Sequence, residues 1–155
     1  MTEPRFVYVT DIRTTPEKLW QALTTPEFTR QYWWGREIES DFTAGSPIRL
    51  VHDHGTKLDI DGEVLAADPP KLLSYTFSDP DSRERGEKHS RVSFAIEPST
   101  IFDGVVRLTV THDDFAPGSP QFAGVSDGWL DILASLKTLL ETGEPLPYRQ
   151  GALSC

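Results

Sequence analysis

Between Ser126 and Gly143 the apolar residues Trp129, Ile132, Leu133, Leu136, Leu139 and Leu140 recur at steps of three and four. That spacing draws one wide apolar stripe along a helix, with Asp131, Lys137, Thr138 and Glu141 on the other side. Ser126 or Asp127 is placed to cap its start, and Gly143 to take the left-handed position past its end. Each stripe residue brings about 1.5–3 kcal/mol when buried, so this helix requires a large apolar surface to lie on.

The rest of the chain supplies a sheet. Residues 5–12 are β-branched and aromatic, the mark of a strand. Thr15-Pro16-Glu17 and Thr25-Pro26-Glu27 are two helix starts with proline at the first helical position. They predict two short helices with a kink at Thr24–Thr25; the second ends at Tyr32-Trp33-Trp34-Gly35. From residue 36 to 112 alternating strands follow one another, broken at Ala44–Pro47, His54–Thr56, Asp68–Pro70 and Phe102–Gly104. Leu58, Ile60 and Val64 fall on one face there, and Asp59, Asp61 and Glu63 on the other. Alternation of this kind belongs to antiparallel strands with one wet face. The prediction is an α+β fold of two layers, a curved antiparallel sheet of six to seven strands against a long C-terminal helix. Residues 1–144 form a single domain and 145–155 a tail. The charged segment from Ser78 to His89 reads as an exposed loop. The Pro- and Gly-rich stretch 114–125 joins the last strand to the helix, with one extra helical turn near its end.

Composition narrows the function classes. With 155 residues there is room for one well-formed core. A net charge of -9 argues against nucleic acid or an anionic membrane surface as partner, since both require a basic face. Cys155 is the single cysteine, so no disulfide is expected within the chain and a reducing, cytoplasmic setting fits. No apolar run approaches the roughly 20 residues of a membrane span, and the first residues lack a signal-peptide core.

Several segments together carry a resemblance. They are Thr15-Pro16-Glu17 with Leu19-Trp20 and Leu23-Thr24; Thr25-Pro26-Glu27 with Trp33-Trp34-Gly35; Gly62-Glu63-Val64 with Asp68-Pro69-Pro70, Leu73 and Tyr75; and Gly128-Trp129 with Leu133, Leu136-Lys137 and Leu140 to Gly143. In this order, over about residues 6–147, they resemble the bacterial homologues of the activator of the heat-shock protein 90 ATPase. That family lies in the START-like, birch-pollen-allergen-like (SRPBCC) superfamily. The resemblance implies a helix-grip, with a cavity between sheet and C-terminal helix that superfamily members commonly use for a lipid, sterol or polyketide. Some relatives are cyclases or hydrolases. The eukaryotic activator has a second, N-terminal domain that binds the chaperone, and a chain of this length has no room for it, so a chaperone partner is not expected.

Chemistry is sparse. Gly124-Val125-Ser126-Asp127-Gly128 has the letters of a nucleophile elbow but lacks the strand and parallel sheet that motif requires, so Ser126 is read as a helix cap. His52-Asp53-His54 is half of a metal site and would need help from His89, His112, Asp113 or Asp114. No metal, cofactor or catalytic residue is assigned. Pocket walls are expected from Trp34, Leu58, Ile60, Tyr75, Phe94, Leu108, His112, Trp129 and Leu133. His112, in phase with Val106, Leu108 and Val110, is the polar group in that apolar setting. The leading expectation is a protein that binds a hydrophobic small molecule, as monomer or homodimer. One alternative is a cyclase- or hydrolase-type enzyme using His112 as acid or base and Tyr75 to orient substrate; another is a co-chaperone or protein-interaction module.

Overall fold

The computed structural model describes residues 3–147. In chain order the elements are β1 (Phe6–Ile12), α1 (Pro16–Thr24), α2 (Pro26–Tyr32), β2 (Glu37–Ser40), β3 (Pro47–His52), β4 (Lys57–Asp68), β5 (Leu72–Phe77), α3 (Pro80–Glu84), β6 (Ser90–Pro98), β7 (Val106–Asp113) and α4 (Gln121–Thr142). The seven strands form one antiparallel sheet in the order β1-β7-β6-β5-β4-β3-β2, so each strand from β2 to β7 pairs with the next in sequence and β1 closes beside β7. This is the predicted α+β helix-grip.

Local chemistry explains the elements. Thr15 Oγ1 accepts from the Lys18 amide at 3.2 Å and Pro16 opens α1. Thr25 then takes an extended conformation, which breaks the helix before Pro26 restarts it. The Tyr32 hydroxyl donates to the Ala22 carbonyl at 2.9 Å and ties the two helices together. On β6 and β7 the residues Val92, Phe94, Ile96, Val106, Leu108, Val110 and His112 all face inward and are buried. They meet Trp129, Ile132, Leu133, Leu136 and Leu139 of α4 in one core. The far end of α4 is fixed to β1: Lys137 Nζ donates to the Asp11 carbonyl, and the Arg13 amide donates to Glu141 Oε2 at 2.9 Å. Gly143 takes φ +88° and its amide donates to the Leu139 carbonyl, ending the helix as predicted.

Three features differ from the sequence expectation. First, α4 begins at Gln121, so Ser126 lies inside the helix, where its hydroxyl donates to the Phe122 carbonyl at 2.6 Å. The first helical amide, that of Gln121, donates to Ser119 Oγ at 3.1 Å, and no cap is needed at 126. Second, the expected loop from Ser78 to His89 contains α3, a single turn held by a reciprocal cap between Asp79 and Ser82. Third, β4 carries a bulge: Leu50 pairs with Ile60 while Val51 pairs with Leu58, which leaves Asp59 as an extra residue. A bulge re-aims the side chains on its own side of the strand. Asp59 accordingly joins Ile60 on the inner side, and Leu58 is 40% exposed.

After α4 the Leu146 amide donates to Ser135 Oγ at 3.1 Å. The remainder of the expected tail, with Cys155, lies outside the described residues. Among those described, no helix is long and apolar enough to cross a membrane.

Candidate functional site

A cleft of about 290 Å³ opens between α4, the Trp33-Trp34 corner after α2, the bulge of β4 and the start of α3. It is open to solvent on one side, and its surface is mostly apolar.

The wall from α4 is unusual because two of its residues have no side chain. Gly124 and Gly128, one helical turn apart, both face the cleft, with Val125, Trp129 and Ile132 beside them. Among the described residues, and leaving aside the helix's own backbone, a Cβ at either glycine would meet no atom within 4 Å. The cleft is therefore in part the volume that two ordinary side chains would have filled.

The opposite wall comes from a corner that only a tight backbone allows. Trp34 and Gly35 both have positive φ, 51° and 79°, which turns the chain sharply from α2 into β2 and leaves Trp33 and Trp34 both on the cleft. Trp33 is buried, and Trp34 is partly exposed at the mouth.

Three charged groups complete the lining. Arg36 is 9% exposed. Its Nε donates to Asp59 Oδ2 and its Nη1 to the Trp34 carbonyl, both at 2.9 Å. Asp59, the second of the three, is held from behind by Arg83 of α3, which is not itself in the lining: its Nη1 donates to the carbonyls of Asp59 and Ser78 at 2.8 Å each. These bonds link α3, the bulge and the tryptophan corner into one frame around the opening. The third charged group is Asp79, whose carboxylate also caps α3 by accepting from the Ser82 amide at 2.8 Å.

The floor is Trp129, 2% exposed and ringed by Trp33, Phe94, Phe77 and His112 with centroids 5.2, 5.7, 6.2 and 6.1 Å away. Its Nε1 donates to His112 Nδ1 at 3.0 Å, and His112 Nε2 lies 2.7 Å from Ser90 Oγ. His112 is 0% exposed and stacks on Phe115. Burial pushes its pKa down to about 3.

The structure thus separates the expected pocket residues. Trp34, Ile60 and Trp129 line the cleft. Tyr75, Phe94, Leu108, His112 and Leu133 are buried in the core and are not part of its lining; burial also raises the Tyr75 phenol above its ordinary range. Leu58 lies on neither, for the bulge turns it outward. Sequence reasoning missed Arg36, Asp59, Phe77, Asp79, Gly124 and Gly128. Only the glycines left a signal: each costs a helix interior about 1 kcal/mol relative to alanine, so two of them one turn apart on an apolar stripe call for a reason. His52 ends β3, and Asp53 and His54 open the turn after it; Asp53 pairs with Lys57 at 3.2 Å, and that pairing holds the Asp53 carboxyl below its usual range. Among the described residues no group of three or more His, Cys, Asp or Glu is placed to hold a metal.

Comparison with known proteins agrees with this architecture. No curated protein matches the chain. Among solved structures it is similar to protein MLL2253 from Mesorhizobium loti, at 28% identity and a TM-score of 0.71 over 88% of this chain and 96% of that one. It is similar also to the Aha1 dimer from Colwellia psychrerythraea, at 25% identity and a TM-score of 0.70 over 90% and 98% of the two chains. An HSP90 activator from Plasmodium falciparum shares the fold, with 20% identity and a TM-score of 0.71 over 88% and 95%. Residues 13–141 match the family described as Activator of Hsp90 ATPase homolog 1-like protein, and the chain belongs to that family.

Proposed function

We propose that this chain is a small-molecule binding protein whose ligand sits in the cleft beside Trp129. The observation that carries the reading is the pair Gly124 and Gly128: two helix-interior glycines that leave open space against three tryptophans. An apolar concavity with a few fixed polar groups is the usual form of a ligand site. At about 290 Å³ the space corresponds to a ligand of on the order of ten to fifteen non-hydrogen atoms. That favours a compact aromatic or hydrophobic molecule over a whole sterol or a long-chain lipid.

His112 and Tyr75, the pair considered for acid–base work, do not line this cleft, so the geometry offers the enzymatic reading no support from them. The test is a titration followed on the indole N–H resonances of Trp33, Trp34 and Trp129, with Trp20, outside the cleft, as internal control. Compact aromatic probes are expected to shift the first three and leave Trp20 in place. Absence of any shift across such probes overturns the reading. A chaperone ATPase assay separates it from the interaction-module alternative, which alone expects a change in rate.

A further inference from the structure

We propose that the cleft prefers a small organic cation, such as a protonated aromatic amine, over a carboxylate of the same shape. This rests on the cleft being a ligand site, and adds the charge of what it takes.

Three charged groups line the space: Arg36, Asp59 and Asp79. Arg36 is already committed. It pairs with Asp59 through Nε and holds the Trp34 carbonyl through Nη1, both at 2.9 Å. An incoming carboxylate would meet a guanidinium whose charge Asp59 already offsets. Among the described residues Asp79 is the lining charge left without a cation on the cleft side. One of its oxygens accepts from the Ser82 amide. The nearby cations are occupied elsewhere: Arg85 pairs with Glu87 at 2.9 Å, and Arg83 donates to the backbone carbonyls of Leu58, Asp59 and Ser78 and does not line the cleft. The remaining surface is aromatic, from Trp33, Trp34, Trp129 and Phe77. The negative face of an aromatic ring attracts cations, and indole does so most strongly. The net charge of -9 adds a field of the same sign.

The experiment compares three molecules of nearly one shape and about a dozen non-hydrogen atoms, a size that matches the cleft: tryptamine, tryptophol and indole-3-propionate. Each is titrated near neutral pH into the whole chain at constant ionic strength, and dissociation constants are read from the Trp33 and Trp34 indole N–H shifts. The amine is expected to bind about tenfold tighter than the acid, in keeping with an aromatic and carboxylate environment, with the alcohol between. Asp79→Asn removes the charge and keeps the helix-capping oxygen, so the variant should stay folded while the preference shrinks to about threefold or less. Equal or tighter binding of the acid, or a preference unchanged in Asp79→Asn, overturns the charge assignment and leaves the ligand cleft standing. If none of the three shifts Trp33 or Trp34, the cleft reading falls and this inference with it.

Discussion

The indole nitrogen of Trp129 donates to Nδ1 of His112 at 3.0 Å, and this single bond fixes the state of the histidine. An indole N–H is only a donor, so Nδ1 is the bare nitrogen and Nε2 carries the proton. Nε2–H then donates to Ser90 Oγ at 2.7 Å, and the Ser90 hydroxyl donates to the Phe77 carbonyl at 3.1 Å. Four groups from α4, β7, β6 and β5 form one directed chain with every donor used. The floor of the cleft is therefore pinned to the sheet by polar bonds as well as by packing.

A neutral, buried imidazole makes folding sensitive to acid. In the unfolded chain histidine binds a proton below about pH 6.5; in the folded protein His112 does so only near pH 3. Between those values unfolding takes up a proton, so stability rises with pH across this window and falls as acid is added. The slope is about 1.4 kcal/mol per pH unit. Urea denaturation at pH 7 and pH 5 should show a loss of about 2 kcal/mol from this one site. A His112→Gln variant should lose that difference, and an unchanged difference would remove the assignment.

Gly128→Ala should raise stability by about 1 kcal/mol, because it restores helix propensity where nothing opposes a Cβ. Gly128→Leu should fill the cleft from the same position. Thermal melting and the indole N–H titration together make the check: a chain at least as stable as the parent that no longer responds to aromatic probes. If Gly128→Leu binds them unchanged, the ligand site lies elsewhere.

Gly62 behaves in the opposite way. A Cβ there would sit 1.9 Å from the Thr76 carbonyl oxygen, so β4 and β5 would have to separate. The Thr76 hydroxyl also accepts from the Glu63 amide at 2.8 Å, a bond that separation would strain. Gly62→Ala should cost about 3 kcal/mol, near the upper end of overpacking penalties. A denaturant midpoint equal to that of the parent would show that the strands yield more easily than this contact implies.

Arg36→Met should destabilise the protein by about 1–3 kcal/mol, since it leaves the largely buried Asp59 carboxylate without its partner. Changing both, Arg36→Met with Asp59→Leu, should recover most of that loss because no unpaired charge remains. A double variant whose loss equals the sum of the two single losses would mean the pair is not coupled. Denaturant unfolding of the four chains measures this directly.

Much of the fold could be read in the sequence because its signals are local. The step of three and four from Trp129 to Leu140 names the buried face of α4, and alternation along β6 and β7 names the inner face of the sheet. Thr-Pro-Glu marks both early helix starts. Where a local signal pointed the wrong way, a neighbour overruled it. Gly124 read as part of the connection ahead of the helix, yet the helix runs through it from Gln121. Asp59 and Leu58 exchanged faces because a bulge adds one residue, and alternation counts residues without seeing which are paired.

The amino-acid order by itself determined the layers, the two short helices and the long terminal one, since each depends on residues a few places apart. What it left open is where empty space remains. That was decided only when four distant segments met: two missing side chains on α4, a sharp tryptophan corner, a bulged strand and the cap of α3. It was decided also by partners far along the chain, for His112 is satisfied by Ser90 and Trp129, residues 22 and 17 positions away. Periodicity reports which side of an element faces inward, but whether that side meets a wall, a partner or a cleft depends on contacts that no local pattern encodes.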